Sequence, residues 1–277
     1  MAPTVLVTGC SSGFGLATAQ RFVRAGWNVI ATMRSPTPID GAFVTRLDVE
    51  DRASIATAVE AGLARFGAID VLVNNAGYGL FGVFEQTPRD QIVAQFATNV
   101  FGLMDVTRAV LPAMRARRRG VILNITSGAG VFGLPLSSAY SASKFAVEGW
   151  SEALAYELAT LGIVVKLIEP GGVDTNFGAR SAGEANSTTP IADYLPFLND
   201  AGAVYAKLRD AHAGSSTADV AEVVFGAATD GSAQLRYVAT PQIAEMVETR
   251  RRAGEAEYER ISRAAMGYRL DTKNGRG

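Results

Sequence analysis

Short apolar runs alternate along the chain with longer segments in which apolar residues recur at helical spacing. The runs are rich in Val, Ile and Leu, which is typical of parallel strands buried on both faces. Regular alternation of strand and helix predicts a parallel sheet joined by right-handed crossovers. We therefore predict an α/β fold, a doubly wound parallel sheet of about seven strands with helices on both faces. The predicted strands are residues 4–8, 28–33, 43–48, 71–75, 121–125, 164–169 and 236–239, and the predicted helices are residues 13–25, 54–66, 89–118 (as two helices), 138–161 and 217–229.

Two segments interrupt this alternation. Residues 175–216 contain no strand pattern and are rich in Gly, Ser, Thr and Pro, which predicts a long, mobile excursion with short helices. Because the segment follows the carboxyl end of a strand, we interpret it as a lid over a substrate, with an ordinary surface insert as the alternative. Residues 242–266 alternate Arg with Glu and predict a helical C-terminal extension, either solvated or used in an oligomer contact. We predict that residues 1–277 form one domain.

Composition narrows the possible functions. The chain has 277 residues and a mass of 29.1 kDa, and 48% of its residues are hydrophobic, which suffices for one large α/β core. One cysteine, Cys10, excludes an internal disulfide and a Cys-rich zinc site, and one histidine, His212, excludes a multi-His metal centre. We therefore expect no metal. A Ser-His-Asp hydrolase would have to use that one histidine as its base.

Charge and hydropathy also exclude partners. The net charge is −1, so no global basic field indicates a nucleic-acid partner. Four arginines within residues 115–119 precede Gly120, and we interpret them as complementing the negative end of a helix dipole. No apolar run approaches the roughly 18 residues that a membrane span needs, and the first strand has no basic leader before it. We expect no membrane partner and a cytoplasmic location.

The first predicted strand ends in a glycine-rich turn, where a predicted helix begins. The turn reads Thr8-Gly9-Cys10-Ser11-Ser12-Gly13-Phe14-Gly15. Its glycines let the backbone turn tightly and approach a pyrophosphate, and the helix N-terminus offers free N–H groups to the anion. Glycines also serve plain tight turns, but this position after the first strand of an alternating chain predicts a dinucleotide site. We interpret Cys10 as a small packing residue rather than a nucleophile.

Further motifs follow in a fixed order. They are Asn74-Asn75-Ala76-Gly77 after the fourth strand, Asn99 before Val100-Phe101-Gly102, Ser127 after the fifth strand, Tyr140-Ser141-Ala142-Ser143-Lys144, and Pro170-Gly171-Gly172-Val173-Asp174-Thr175. With its Thr-Gly-x-x-x-Gly-x-Gly turn, the chain resembles the short-chain dehydrogenase/reductase family, in its branch of roughly 250 residues. The resemblance extends over residues 4–175. The local sequence of the turn is similar to that of the hydroxysteroid and retinol dehydrogenases. It implies a Rossmann-type fold and an NAD(P)-dependent oxidoreductase acting on CH–OH groups (EC 1.1.1.-).

The same resemblance implies the catalytic residues Asn99, Ser127, Tyr140 and Lys144. Tyr140 and Lys144 are four residues apart, so a helix brings them to one face. A free tyrosine has a pKa of about 10, and a neighbouring ammonium is expected to lower that pKa towards the working range. Ser127 can donate a hydrogen bond to the substrate oxygen. By resemblance, Lys144 also holds the nicotinamide ribose and Asn99 supports a proton-relaying water; a packed Tyr140 ring with a solvated Lys144 is the alternative.

The cofactor preference depends on the end of the second strand, where NAD-preferring members carry an acid. Here Arg34 follows the strand and no acid occurs before Asp40. A guanidinium can bind a 2′-phosphate through two hydrogen bonds, and Ser12 can add a hydroxyl, so we predict NADP with NAD as the alternative. The alternative for Arg34 itself is a solvated residue after a strand. With the motifs above, the predicted cofactor-binding residues are Gly9, Ser11, Ser12, Gly13, Phe14, Gly15, Arg34, Asp48, Val49, Asn75, Ala76, Gly77, Tyr140, Lys144, Pro170, Gly171, Val173 and Thr175.

The remaining predictions concern substrate and assembly. We expect hydride transfer between the nicotinamide and the carbonyl or alcohol carbon of a small-molecule substrate. Tyr140 would act as the general acid or base. A non-catalytic NAD(P)-binding sensor and an NAD-linked alcohol or hydroxysteroid dehydrogenase are the alternatives. The family's long helices commonly form dimers or tetramers, so a homodimer or homotetramer is expected. An apolar pocket is predicted from Tyr78, Phe81, Phe132, Leu134, Pro135, Phe177 and Tyr194, although each could equally be packing.

Overall fold

A parallel sheet forms the centre of the fold. The computed structural model describes residues 2–173, 191–211 and 215–267. Seven strands lie in the order β3-β2-β1-β4-β5-β6-β7, and every neighbouring pair is parallel. The predicted doubly wound sheet is therefore confirmed. The strands are β1 (Thr4–Thr8), β2 (Asn28–Met33), β3 (Phe43–Arg46), β4 (Val71–Asn74), β5 (Gly120–Ile125), β6 (Ile163–Glu169) and β7 (Arg236–Val238).

Helices cover both faces of this sheet. Capping residues fix where two of them begin. Asp51 caps the helix Arg52–Phe66 by accepting from the N–H groups of Ala53 and Ser54. Ser216 forms a capping box with Asp219 at the start of the helix Thr217–Thr229. The helices are α1 (Gly13–Arg24), α2 (Arg52–Phe66), α3 (Arg89–Phe96), α4 (Leu103–Arg117), α5 (Ser138–Ala159), α6 (Leu195–Ala211), α7 (Thr217–Thr229), α8 (Ala244–Arg252) and α9 (Glu255–Ala265).

Alternating strand residues build two core layers. Val5 and Val7 of β1 pack with α1 and α7, whereas Leu6 between them packs with α2, α4 and α5. The same alternation holds in β4, where Val71 and Val73 enter the first layer and Leu72 enters the second. Both faces of the strands are thus buried, which explains why they are continuously apolar in the sequence.

Three segments differ from the sequence predictions. The predicted helical region 89–118 is one rod in which a π-helical turn, Ala97–Gly102, joins α3 to α4. Within the region predicted to hold only short helices, α6 is 17 residues long. The C-terminal extension is helical and consists of two helices. Of these, α9 buries no residue, as expected for a solvated helix, but α8 buries Val247 against Phe132 and Ile243.

The order in which strands are added to the sheet reverses at its centre. Strands β1 and β4 are neighbours, β2 and β3 follow on one side, and β5 to β7 follow on the other. A crevice opens at the carboxyl ends of strands flanking such a switch point, and ligands of open α/β sheets bind there. Thr8, Asn74 and Ile125 end the three central strands at this edge. In the part of the chain that the structure describes, no helix is both long and apolar enough to cross a membrane.

Candidate active site

The glycine-rich turn lies between β1 and α1 at the sheet centre. Gly13 has φ +58°, and a Cβ placed on it would project into open space before the helix N-terminus. A Cβ on Gly15 would lie 2.3 Å from the Gly9 carbonyl oxygen, so the turn can close only without a side chain there. Ser12 is the N-cap residue and its hydroxyl makes no capping hydrogen bond, and the first turn of α1 carries no acid. The space and the N–H groups fit a pyrophosphate.

Asn75 braces this turn from the end of β4. Its side-chain amide donates to the carbonyl oxygens of Thr8 and Gly9 at 2.8 and 3.3 Å. The Thr8 hydroxyl in turn accepts from the N–H groups of Asn75 and Ala76, each at 3.0 Å. Thr8 was not among the predicted site residues, although it opens the glycine motif. Asn75 and Ala76 therefore hold the turn in shape, and Gly77 follows them beside Asn99 and Lys144.

Arg34 lies at the same edge, one residue beyond β2. The N–H of Cys10 donates to the Thr32 carbonyl at 2.9 Å, so the end of β2 lies directly beside the glycine-rich turn. The Arg34 side chain is exposed and has no salt bridge to any carboxylate of the described residues. The guanidinium is therefore available to a phosphate in the crevice.

Asp48 and Val49 follow β3 on the same side of the sheet. The Asp48 carboxylate accepts from the N–H of Glu50 at 3.2 Å, and its backbone N–H donates to the Ser54 hydroxyl at 2.9 Å. Val49 is buried and lies so close to Gly102 that a Cβ on that glycine would come within 2.8 Å. The pair is thus held rigidly next to the π-helical turn.

Ser127, Tyr140 and Lys144 meet where β5 ends and α5 begins. The Ser127 hydroxyl is hydrogen-bonded to the Tyr140 phenol and also accepts from the N–H of Ala129 at 3.1 Å. One helical turn after Tyr140, Lys144 places its Nζ 5.8 Å from the centroid of the tyrosine ring. The Nζ donates to the Ile125 carbonyl at 2.9 Å. The prediction that helical spacing brings these side chains together matches this geometry.

Burial governs the charges of this group. It raises the pKa of Tyr140 to about 12, against the opposing effect of the Ser127 hydrogen bond. It lowers the pKa of Lys144 to about 8, against the opposing charge of Glu148. The expected net lowering of the Tyr140 pKa is therefore wrong for this arrangement, because desolvation outweighs the interactions that favour the phenolate and Lys144 is hydrogen-bonded to the Ile125 carbonyl rather than to the phenol. Tyr140 is a neutral phenol that can donate a proton.

Asn99 occupies the π-helical turn between α3 and α4. Its side-chain oxygen accepts from the N–H of Tyr78 at 3.0 Å, and its amide donates to the Tyr78 carbonyl at 2.9 Å and to the Ser143 hydroxyl at 3.2 Å. One turn earlier, Gln95 also donates to the Tyr78 carbonyl, at 3.3 Å. π-Helical turns are rare, and they occur frequently at functional sites. Asn99 thereby fixes the loop after β4 against α5.

The loop after β6 completes the crevice. The Pro170 carbonyl accepts from the N–H of Gly128 at 2.9 Å, and the N–H of Gly171 donates to the Thr240 hydroxyl at 2.8 Å. These bonds tie the loop to the turn after Ser127 and to the segment after β7. Val173 ends the described part of this loop and packs on the core layer of α1 and α7. Thr175, the last predicted cofactor residue, lies outside the described residues.

Aromatic rings line the space beside Tyr140. The ring of Phe81 lies 5.5 Å from the ring of Tyr140 and 6.2 Å from the ring of Tyr205 in α6. Tyr205 donates its hydroxyl to the Pro135 carbonyl at 2.7 Å. The sequence did not single out Tyr205, because nothing local indicates that α6 folds back towards Phe81 and Tyr140. Through the ring of Tyr205, the region predicted as a lid contributes one side of the space beside Tyr140.

Other predicted pocket residues have different roles. Phe132 is buried in a small core with Val247 of α8, so it packs the C-terminal extension onto the domain. Leu134 packs against the same core. Tyr194 donates to the exposed Glu85 carboxylate at 2.8 Å. Phe177 and His212 lie outside the described residues.

Cys10 and the arginines that end α4 have structural roles. Burial raises the pKa of Cys10 to about 12, and its thiol donates to the Val7 carbonyl at 3.2 Å, in keeping with a packing role. The arginines at the end of α4 do more than complement the helix dipole. Arg117 and Arg119 both form salt bridges with Asp70, at 2.7 and 3.4 Å, at the edge of the sheet opposite the site.

A glycine-rich turn at the switch point of a doubly wound sheet, beside a Ser-Tyr-Lys group, defines a nicotinamide-dependent oxidoreductase. The family model for short chain dehydrogenases matches residues 3–185. The chain therefore belongs to the short-chain dehydrogenase family of NAD(P)-dependent dehydrogenases and reductases.

Two relatives illustrate the range of this family. The chain is 45% identical over 174 residues to 3-ketodihydrosphingosine reductase of Bacteroides thetaiotaomicron, a match covering 62% of this chain and 65% of that protein. It is 36% identical over 241 residues to retinol dehydrogenase 8 of Bos taurus, covering 80% of this chain and 76% of that protein. The predicted resemblance to the retinol dehydrogenase side of the family is thus confirmed.

Solved structures agree with the fold. A short-chain dehydrogenase from Streptomyces avermitilis superimposes with a TM-score of 0.78 at 35% identity, covering 95% of this chain and 98% of that chain. The actinorhodin polyketide ketoreductase with NADPH superimposes with a TM-score of 0.71 at 30% identity, covering 86% of this chain and 96% of that chain.

Proposed function

We propose that this protein interconverts a carbonyl and an alcohol, with Tyr140 as the proton donor to the carbonyl oxygen during reduction. The observation that carries this proposal is the hydrogen-bonded pair of Ser127 and Tyr140, with Lys144 one turn away, at the crevice that fits a dinucleotide. Ser127 and Tyr140 come from different elements and converge on one point. A substrate oxygen at that point would receive a hydrogen bond from each hydroxyl.

The protein's contribution to the reaction follows from these contacts. When bound, a reduced nicotinamide supplies the hydride that adds to the carbonyl carbon. Tyr140 transfers its phenolic proton to the oxygen on which negative charge develops, and Ser127 stabilises that charge by donating a hydrogen bond. Lys144 in its charged form stabilises the phenolate that remains. Asn99 and Ser143 hold α5 against the loop after β4, so that these groups keep their spacing.

The cofactor preferred in this proposal is NADP. Gly9, Gly13 and Gly15 shape the turn for the pyrophosphate, and Ser11, Ser12 and Phe14 lie in the same turn. Arg34 lies beside this turn, is exposed and forms no salt bridge with a carboxylate of the described residues. A site that prefers NAD would carry an acid at this position to bind the ribose hydroxyls. Asp48 and Val49 are proposed to meet the adenine, and Asn75 to Gly77, Pro170, Gly171, Val173 and Thr175 to border the nicotinamide half.

Replacing Arg34 with Ala tests this preference. We expect the Kd of NADPH to rise at least about tenfold, because a charge-assisted hydrogen bond to the 2′-phosphate is lost. The Kd of NADH, which lacks that phosphate, should change little. Both constants can be measured by titrating the fluorescence of the reduced nicotinamide. Equal changes for the two cofactors, or none for NADPH, would remove the proposed role of Arg34.

The proposed substrate is a rather apolar carbonyl compound. The rings of Phe81 and Tyr205 stand beside Tyr140, and Pro135 closes the same side. Two relatives are named 3-ketodihydrosphingosine reductase and retinol dehydrogenase 8, which suggests the first compounds to try. An assay of NADPH oxidation against 3-ketodihydrosphingosine, retinal, steroid ketones, quinones and small aldehydes tests this proposal. Turnover of at least one carbonyl is expected, with the apolar ones preferred; tight NADPH binding without any turnover would favour the sensor alternative.

We also propose that the chain forms a homodimer or homotetramer through the helices α3 to α5. Large apolar side chains are exposed on this part of the molecule. Monomeric proteins rarely leave large apolar patches exposed, so we expect a second copy of the chain to cover these side chains. They are Val93 (50% exposed), Phe101 (59%), Phe145 (43%) and Tyr156 (75%). Light scattering should give two or four times the chain mass of 29.1 kDa. A monomeric mass at micromolar concentration would contradict this proposal.

A further inference from the structure

A cluster of charged side chains lies near Lys144, and its nearest member on α5 is Glu148, one helical turn further along. We call it the charge cluster and define it by three carboxylates and two guanidiniums. The members come from α5, β6, β7 and α8, which are distant in sequence. They are Glu148, Glu152, Glu169, Arg236 and Arg251.

Arg236 is the centre of this cluster. Its Nε lies 3.0 Å from a Glu148 oxygen and 3.8 Å from a Glu169 oxygen, and its terminal nitrogen is bonded to Glu152. Arg251 of the C-terminal extension is bonded to the same Glu169 oxygen that faces Arg236. Glu169 is completely buried and Glu148 nearly so, and burial together with the charge of Glu148 raises the pKa of Glu169. Their charges are therefore poorly solvated and must be balanced within the protein.

Glu148 links the cluster to the catalytic group. It follows Lys144 by one turn of α5, so the two side chains share a helix face. One oxygen of Glu148 accepts from the Thr126 hydroxyl at 2.8 Å, and Thr126 immediately precedes Ser127. The stem of Glu148 packs under the turn after Ser127, where a Cβ on Gly130 would lie 3.2 Å from its Cγ. The carboxylate thus has one fixed position beside Lys144.

Charge balance assigns a role to the position of Glu148 near Lys144. By formal charge, the three carboxylates of the charge cluster exceed its two guanidiniums by one. The ammonium of Lys144 is the neighbouring cation that makes the whole set neutral. In a buried, weakly screened environment such a balance favours the charged form of Lys144.

We propose that Glu148 is a positioning residue that keeps Lys144 charged, and that Arg236 and Arg251 hold the carboxylates in place for this purpose. Its catalytic consequence rests on the proposed carbonyl reduction, in which the charged Lys144 stabilises the phenolate of Tyr140. Through Arg251, the extension α8 is part of the active-site support rather than a solvated tail.

The other groups that face Lys144 do not provide this charge. Tyr140 lies beside it on α5, and Tyr205 of α6 lies beyond Tyr140; burial holds the pKa of both phenols above its usual value, so both are neutral. Glu152 is a further turn along α5 and contacts Arg236 only. Among the described residues, Glu148 is the carboxylate whose charge opposes the effect of burial on Lys144, so removing it should lower the midpoint of the Lys144 titration.

The test measures that midpoint directly in the full chain. The sequence contains four lysines, so a protein labelled with ¹³C and ¹⁵N only at lysine gives few side-chain signals, and the Lys144→Arg variant assigns one of them to Lys144. In Glu148→Gln, which keeps the shape of the side chain, we expect the midpoint to fall by about one pH unit. Glu152→Gln is the matched control on the same helix and should shift the midpoint much less. An unchanged midpoint in Glu148→Gln, or equal shifts in both variants, would overturn the proposal.

A second variant covers the case in which Glu148→Gln does not fold. Arg251→Gln removes a positive charge from the partly exposed edge of the cluster and should raise the midpoint of Lys144 instead. An unchanged or lowered midpoint in that variant would overturn the proposal. A merely structural role predicts no such opposite pair of shifts.

An activity measurement separates this inference from the proposed function. If the chain reduces carbonyls, the loss of rate at alkaline pH should begin about one pH unit lower in Glu148→Gln than in wild type. If wild type reduces no carbonyl, the proposed function fails while the lysine titration still decides the role of Glu148. An active wild type with an unshifted Lys144 midpoint in Glu148→Gln overturns this inference alone.

Discussion

Replacing Tyr140 with Phe is expected to lower kcat for carbonyl reduction by about a thousandfold. The variant keeps the ring that packs against Phe81 but loses the only hydroxyl that is paired with Ser127 in the described part of the site. The developing oxygen charge then has no proton donor, so the loss falls on the chemical step. The Kd of NADPH should change by less than about twofold, since the pyrophosphate turn is untouched. Steady-state kinetics and a fluorescence titration measure the two quantities.

Tyr205→Phe is the matched control for this variant. It removes a hydroxyl that donates to the Pro135 carbonyl from the other side of the same aromatic group. We expect it to change KM more than kcat, because Tyr205 lines the pocket without contacting Ser127. A Tyr140→Phe variant that keeps more than about a tenth of the wild-type kcat would contradict the assigned role.

Replacing Lys144 with Met should lower kcat about a hundredfold and change the pH dependence of the reaction. The pKa of Lys144 is lowered to about 8 by burial, so the side chain is charged below that pH and neutral above it. In wild type the rate of reduction should therefore fall as the pH rises through about 8. The variant cannot lose a proton there, so its low rate should show no decline at that pH.

The exposed Lys207 of α6 provides a control of the same residue type. Lys207→Met should keep both the wild-type rate and the alkaline decline. Rates measured from neutral to alkaline pH at saturating NADPH compare the three proteins. An alkaline decline that persists in Lys144→Met would assign it to another group.

Much of the fold follows from local pattern in the sequence. All seven predicted strands exist, with ends displaced by no more than a few residues, because each is a short apolar run bounded by turn residues. The glycine-rich turn and the Tyr140–Lys144 pair are also local, since their geometry depends on spacing within one turn or one helix. The chemistry could therefore be predicted before the fold was known.

What the sequence did not predict depends on contacts between distant segments. The 17-residue α6 carries weak periodicity, and only tertiary packing brings its Tyr205 to Phe81. The π-helical turn at Asn99 and the raised pKa of Tyr140 arise from burial by neighbouring elements. The partners of Glu148 are 22 and 88 residues away, so no local pattern reveals them.

Isotope transfer tests most directly whether this protein moves a hydride from a nicotinamide to a carbonyl carbon. The protein is incubated separately with the two stereoisomers of 4-deuterio NADPH and the carbonyl panel, and the alcohols formed are analysed by mass spectrometry. We expect one stereoisomer to yield an alcohol with a single deuterium on the carbinol carbon, and Tyr140→Phe to yield almost none. Alcohols that lack deuterium with both stereoisomers would contradict direct hydride transfer. So would the absence of any alcohol from a protein that binds NADPH tightly.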